Sequence, residues 1–362
     1  MSLAASDIGR EMMAAVYTGM GRIEVQPVAV PEIGPGEILV RVEACGICHT
    51  DLKKVAHDLL PPPRIYGHET AGIVVGVGEG VTRFRAGDRV VAFHHIPCRN
   101  CFYCERKLYA QCETYKKVGI TAGFEPAGGG FGQYVRVMDW IVRDGVELIP
   151  DGVPFEVASL VEPVNTVLKA VVEAAPRPDD VVLVQGQGPI GLMFTMLLRR
   201  TGCTILATDT IPRRLQLARR FGAAEAWNPL ETDVAARCRA LTSGRGVDQV
   251  FVAASAPGIV DQAIAASRPG SRILFFAQTS ETERIELSGA AICKYERTLF
   301  GVYSASVDLQ AESVRLVMSG DLPVQDLISH RLPLTAIRDG IDRAMHPDGE
   351  SLKIIVQPQR LS

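Results

Sequence analysis

The sequence predicts an α/β protein of two domains, one β-rich and made of short strands, the other a doubly wound, six-stranded parallel sheet. Three observations point there. From Met13 to about Pro150 the apolar runs are short and broken by Gly and Pro. From about residue 165 strand-length and helix-length segments alternate. A glycine-rich turn, Gly186-Gln-Gly-Pro-Ile-Gly191, joins an apolar strand to a helix-length segment. The 362 residues suffice for two domains at about 100–200 residues each.

The first region offers Glu37-Ile-Leu-Val-Arg-Val-Glu43, Ala71-Gly-Ile-Val-Val-Gly-Val77 and Arg89-Val-Val-Ala-Phe93 as strands. Short β segments bounded by turn residues predict a barrel-like domain. In the second region, strands are expected at 181–185, 204–208, 225–227, 248–253, 271–276 and 298–302. Helices at 189–201, 212–222, 231–242 and 257–267 separate the first five, as crossover connections between parallel strands require. A helix over 308–319 and a mixed segment follow, and then the strand Leu352-Lys-Ile-Ile-Val356. That strand lies beyond a finished sheet, so it is expected to return to the first domain. The expected division is 1–165 with 304–362, and 166–303 between them.

Composition narrows the function classes. Hydrophobic residues make up 47% and charged residues 22%, which is ordinary for a globular chain. Lys and Arg number 38 against 41 Asp and Glu, for a net charge of −3. No basic excess exists to neutralise phosphates, so nucleic acid is not expected as a partner. Asp7, Arg10 and Glu11 interrupt the N-terminal region before a signal-peptide core could form, and no apolar run reaches the length of a membrane span. The expectation is a cytoplasmic protein with no membrane partner.

Nine cysteines are distributed unevenly, with six between residues 45 and 112. Clustering in a reducing compartment points to metal rather than disulfides. Cys98, Cys101, Cys104 and Cys112 form C-x2-C-x2-C-x7-C. Two-residue gaps let thiolates converge on one zinc ion, and four cysteines leave no open position, so this site (about 95–115) is expected to be structural. Cys203, Cys238 and Cys293 have no such pattern and read as packing residues.

A second candidate metal site draws on separated segments: Cys45-Gly-Ile-Cys-His-Thr-Asp51, Gly67-His-Glu-Thr-Ala-Gly72 and Val161-Glu-Pro163. Thiolate, imidazole and carboxylate together suit a catalytic zinc that keeps one position open. Cys45 and Cys48 could instead begin a closed zinc site, though no second cysteine pair remains to complete it. In the second domain, the glycine turn allows close approach of a dinucleotide pyrophosphate to a helix N-terminus. Asp209 stands eighteen residues after Gly191, where an acidic side chain accepts from the ribose 2′-hydroxyl.

The ordered set G-I-C-H-T-D, G-H-E, the four-cysteine lobe, E-P and G-x-G-x-x-G resembles the zinc-containing medium-chain alcohol and polyol dehydrogenases. The resemblance spans nearly the whole chain and implies a GroES-like catalytic domain and a Rossmann coenzyme domain. It makes Cys48, and not Cys45, the catalytic zinc thiolate and His68 the imidazole ligand. Glu162 takes the third-ligand position, with Glu69 close enough to coordinate as well, and Asp51 orients His68. Thr50 would receive the substrate proton and His49 would contact coenzyme phosphate. Lys53 stands where the family often carries a histidine, which breaks the usual outer proton relay. Gly186, Gly188, Pro189, Ile190 and Gly191 would hold the pyrophosphate, with Lys353 near it. Asp209 and Arg214 would take the adenosine ribose. Thr166, the segment Phe276-Ala277-Gln278, and Val302 to Ser304 would flank the nicotinamide. His94, four residues before Cys98, falls where relatives line the substrate pocket.

The function expected is reversible hydride transfer between NAD and a secondary alcohol or polyol, with two zinc ions per chain, one catalytic and one structural. The resemblance also implies a homo-oligomer, dimer or tetramer. Two alternatives stand beside it: a zinc-free, NADPH-dependent quinone or enoyl reductase of the same fold, and a non-catalytic zinc- and nucleotide-binding protein.

Overall fold

The structure, a computed structural model, describes residues 8–94, 96–114, 128–277 and 284–362. It divides into two compact units, Met1–Asn165 with Ser306–Ser362, and Thr166–Ala305.

The first unit opens with β1 (Glu11–Gly19), β2 (Arg22–Ala29), β3 (Ile38–Gly46), β4 (Arg64–Ile65), β5 (Glu69–Val77), β6 (Arg89–Ala92), β7 (Tyr134–Val137) and β8 (Val146–Leu148). Strand β1 pairs with β2 and β4 in a small antiparallel sheet. Strand β3 is central to the larger sheet, antiparallel to β5 and to β7, and β5 continues through β6 to β8. Its inward residues Ile38, Val40 and Val42 join Val74, Val90, Val135 and Val137 in one buried core. That period-two inward pattern is what a sheet with one covered face requires. Helix α1 (His49–His57) begins directly after β3. Helix α2 (Val161–Ala174) carries the boundary between the units, at Asn165 and Thr166.

The second unit holds β9 (Val181–Gln185), α3 (Pro189–Arg199), β10 (Thr204–Thr208), α4 (Pro212–Phe221), β11 (Glu225–Trp227), α5 (Val234–Leu241), β12 (Val247–Val252), α6 (Ile259–Ala266), β13 (Ser267–Phe275) and β14 (Thr298–Gly301). All six strands are parallel in the order β11-β10-β9-β12-β13-β14. The order reverses between β9 and β12, so the crevice at the carboxyl ends of those strands is the place where such a sheet takes a ligand. Buried on both faces, β9 and β12 read as nearly continuous apolar runs, and Leu183, Leu206, Val250 and Ile273 fill the core.

In the second unit two boundaries differ from the expected ones by more than two residues. Helix α5 starts at Val234 rather than near 231, because the Asp233 carboxylate accepts from the Ala236 N–H at 2.9 Å and caps it there. Strand β13 begins at Ser267, four residues early, through a register shift against β12.

The chain then re-enters the first unit through α7 (Gln310–Met318), β15 (Ile328–Pro333), α8 (Ile337–Met345) and β16 (Lys353–Gln357). Strand β16 pairs with β3, so the final strand does join the first sheet, and the mixed segment before it resolves into β15 and α8. Cys203 and Cys238 are buried as expected, whereas Cys293 is exposed and packs into no core. Among the described residues, no helix is long and apolar enough to cross a membrane.

Candidate active site

The first unit builds its site around the junction of β3 with α1. Asp51 is the third residue of α1 and wholly buried. Its Oδ2 accepts from the Cys48 N–H at 3.0 Å, which closes the first turn of the helix. Its Oδ1 accepts from the Gly67 N–H at 3.4 Å and lies 3.2 Å from His68 Nδ1. One carboxylate thus fixes Cys48, the start of β5 and the histidine ring together. Burial opposes a charge on His68, but Asp51 and Cys48 outweigh it and raise its pKa well above the usual value. With Nδ1 turned to Asp51, Nε2 is the ring nitrogen left for a ligand.

Cys48, His68 and Glu69 present ligand atoms that all lie within 4.8 Å of one another. Glu69 is wholly buried. Its Oε1 accepts from the buried Lys353 ammonium at 2.5 Å, and that ammonium also donates to the Ile47 carbonyl at 3.0 Å. Burial would lower the Lys353 pKa, yet the charges of Glu69 and Cys48 outweigh it and raise it. Glu69 Oε2 is buried and has no hydrogen-bond partner. A Cβ on Gly46 would fall 1.9 Å from that oxygen, so only glycine leaves room for the carboxylate. An orphaned carboxylate oxygen beside a thiol and an imidazole is a donor set that a zinc ion would complete. The cluster fits the metal.

Glu162, in the first turn of α2, falls outside that three-residue group. It is buried, with Oε1 3.3 Å from His94 Nδ1, and burial lifts its pKa to about 7 against the pull of His68. The rings of His68 and His94 meet edge to face at 5.2 Å. His49 is exposed, and Thr50 and Lys53 are half-buried on α1.

The four lobe cysteines also lie within 4.8 Å of one another. Cys98 Sγ is 3.4 Å from Cys112 Sγ and 3.9 Å from Cys104 Sγ. Tetrahedral zinc with ~2.3 Å bonds places sulfurs about 3.8 Å apart, and these distances bracket that value. Burial resists ionisation of Cys112, but the Cys98 N–H and Thr114 bring its pKa down to about 6, suiting a thiolate ligand. Tyr109, on the turn before Cys112, donates to Asp308 at 3.2 Å and ties the lobe to the segment preceding α7.

In the second unit the candidate site is one strand, one turn and one helix. Gly186 has φ +88°, and a Cβ on Gly191 would fall 1.8 Å from the Gly186 carbonyl oxygen, so the turn closes only with glycine there. A Cβ on Gly188 would meet nothing nearer than Arg214 Nη1 at 3.9 Å. That open space, with Pro189 and Ile190 beginning α3, leaves the helix N-terminus accessible to an anion. At the end of β10, Asp209 accepts from the Gln187 N–H at 2.6 Å and the Ile211 N–H at 2.9 Å, with Arg214 Nη1 3.8 Å away. Thr166, Ala277 and Val302 are half-buried; Gln278 lies outside the described residues.

Sequence reasoning missed two pairings. The resemblance implies a pyrophosphate contact for Lys353, but its ammonium is buried on Glu69, and a phosphate contact would require that pair to open. His94 was singled out for substrate, and its carboxylate neighbour Glu162 was not foreseen. Partners so far apart in the chain leave no local signal; an isolated Lys in a strongly apolar final strand was the nearest to one.

Residues 34–146 match the alcohol dehydrogenase GroES-like domain, and residues 189–319 match the zinc-binding dehydrogenase domain. The sorbitol dehydrogenase of Bacillus subtilis (strain 168) is 30% identical over 98% of this chain and 99% of its own. The (R,R)-butanediol dehydrogenase of Neisseria gonorrhoeae is 29% identical, covering 96% of this chain and 99% of its own. The crystal structure of 2R,3R-butanediol dehydrogenase from Bacillus subtilis superposes with a TM-score of 0.83 at 28% identity, covering 96% of this chain and 99% of that one. Two thiol-bearing clusters on a β-rich unit, a glycine turn on a six-stranded parallel sheet, and these full-length likenesses have one common explanation: the chain belongs to the zinc-containing medium-chain alcohol and polyol dehydrogenases.

Proposed function

We propose that this oxidoreductase of CH–OH donors is an NAD-using, zinc-dependent dehydrogenase of secondary alcohols and polyols. The observation that carries the reading is the Cys48–His68–Glu69 cluster, with its orphaned carboxylate oxygen and the Asp51 brace behind the histidine. Cys48, His68 and Glu69 would hold the catalytic zinc, and Cys98, Cys101, Cys104 and Cys112 the structural one. Zinc supplies Lewis acidity at the alcohol oxygen, and the nicotinamide coenzyme accepts the hydride.

The chain's own groups prepare that chemistry. Asp51, with Oδ1 3.2 Å from His68 Nδ1, would favour the tautomer that leaves the other nitrogen for a ligand and raise its basicity. Lys353 offsets the charge of Glu69 in a site with little water. The Thr50 hydroxyl would take the substrate proton while passing its own on to the coenzyme ribose, and His49 is assigned to coenzyme phosphate. Glu162, held beside His94, is a buried carboxyl whose pKa burial raises to about 7. The glycine turn and the start of α3 bind pyrophosphate, Asp209 and Arg214 the adenosine ribose, and Thr166, Ala277 and Val302 flank the nicotinamide. The polyol preference rests on the names of the relatives and on His94, a hydrogen-bonding side chain beside the cluster.

The test is metal analysis with an alcohol panel run with NAD and with NADP. About two zinc ions per chain, with kcat/KM higher for a polyol or vicinal diol than for ethanol and higher with NAD, is the expected result. No zinc, with NADPH-dependent reduction of quinones or enones, would establish the zinc-free reductase instead. No turnover of any donor would leave a binding protein. Light scattering of the purified chain checks the expected dimer or tetramer.

A further inference from the structure

The second residue of the glycine turn is a glutamine whose side chain is wholly buried. Gln187 and Thr195 are both wholly buried, and Thr195 is the one hydroxyl among the otherwise apolar buried side chains of α3. The Gln187 amide donates from Nε2 to the Val184 carbonyl on β9 at 3.2 Å. Its Oε1 accepts from the Thr195 hydroxyl at 2.9 Å, and the same hydroxyl lies 3.1 Å from the Gly191 carbonyl. The Gln187 N–H donates to Asp209 Oδ2. One residue therefore ties the strand before the turn, the helix after it, and the carboxylate at the end of the next strand.

A buried amide costs free energy unless its donors and acceptors are matched. Here the amide's partners lie on the strand before the turn and the helix after it, while the backbone N–H of the same residue holds Asp209, so the bonds form together only in one turn conformation. A glycine-rich segment has the widest choice of alternative conformations, and each must be excluded before a ligand can be held on its backbone N–H groups. The side chain is too deep to touch a coenzyme itself. We propose that Gln187, latched by Thr195 and Val184, is a positioning residue that pre-forms the pyrophosphate turn and aligns Asp209 with it. The inference rests on the coenzyme reading made above.

The test uses the zinc-loaded, full-length chain and two probes, NADH and ADP-ribose, the second having the pyrophosphate but no nicotinamide. Thr195→Val removes the hydroxyl at nearly constant volume, and Gln187→Met removes the amide from the other end. Each is expected to weaken ADP-ribose and NADH binding by about tenfold, the effect of one matched buried hydrogen bond. Thr195→Ser, which keeps the hydroxyl, is expected to bind within about twofold of the unaltered chain. Zinc content and the KM for alcohol at saturating coenzyme should stay put in all three. A merely structural role would lower Tm without moving ADP-ribose affinity, and that result in either variant that folds overturns the inference. If the unaltered chain binds neither NADH, NADPH nor ADP-ribose, the coenzyme reading itself has failed, a different outcome from equal binding by all variants.

Discussion

The unit containing β3 and α1 makes its site from side chains of four separated segments, around residues 48–51, 68–69, 94 and 162, with Lys353 arriving on the last strand. The unit containing β9 makes its site largely from backbone, in a single turn of six residues plus one carboxylate from the next strand. Both must present charge-binding groups, but they solve different problems. The first holds ionic groups away from water, and each needs a partner: Asp51 has His68, and Glu69 has Lys353. The second offers N–H dipoles at a helix end, which carry no net charge and need no counter-ion. A side-chain cluster is therefore vulnerable to loss of any one member. A backbone site is vulnerable chiefly where a Cβ cannot fit.

Four substitutions break or sharpen this contrast, in decreasing order of expected effect. His68→Ala removes the proposed imidazole ligand and strands Asp51. Loss of several kcal/mol of charge stabilisation should lower kcat/KM by about three decades or more, while ADP-ribose titration shows coenzyme affinity nearly unchanged. Near-normal turnover would remove His68 from the site.

Gly191→Ala attacks the other unit at the 1.8 Å approach to the Gly186 carbonyl. Since the obstruction is backbone, the turn must open, and coenzyme affinity should fall by roughly a hundredfold or more. Metal analysis should still find the full zinc content. Unaltered ADP-ribose binding would mean that the turn is not the pyrophosphate site.

Cys101→Ala tests whether the lobe is structural. About one zinc ion per chain should be lost, and Tm should fall several degrees, because metal binding to a closed site is folding free energy. A variant with full zinc content and unaltered melting would refute the lobe assignment.

Asp209→Gly probes the carboxylate of the backbone site. Two unit charges about 4 Å apart repel by roughly 4 kcal/mol at an effective dielectric of 20. Arg214, 3.8 Å from the carboxylate, already offsets part of that. The ratio of kcat/KM for NADP to that for NAD should therefore rise by about one to two decades, the smallest of these effects. Equal or better use of NADP by the unaltered chain would overturn the role given to Asp209.

How far each site could be read in the sequence follows from the same contrast. The glycine turn with its strand, helix and distant Asp209 is local, and chain spacing alone places it. The lobe is local too: its four cysteines fall within fifteen residues, and their convergence follows from short gaps. The catalytic cluster is not local. Cys48 and His68 could be named from motif order, but only the packed sheet sets Glu69 with them and Glu162 beside His94. Helix α5 shows the limit for elements, since the Asp233 cap moved its start past a stretch with acceptable helical pattern.

Taken by itself, the sequence determined the two-domain α/β class, the parallel six-stranded sheet, the cysteine lobe and the coenzyme turn, because periodicity, glycine sterics and ligand spacing act over a few residues. Tertiary structure alone decided which carboxylate joins the thiol and the imidazole, that Lys353 bonds it, and that Gln187 faces inward onto Val184 and Thr195. Those outcomes depend on burial: a charge or amide withdrawn from water must find its partner wherever packing puts one, and here Lys353 comes from 284 residues along the chain.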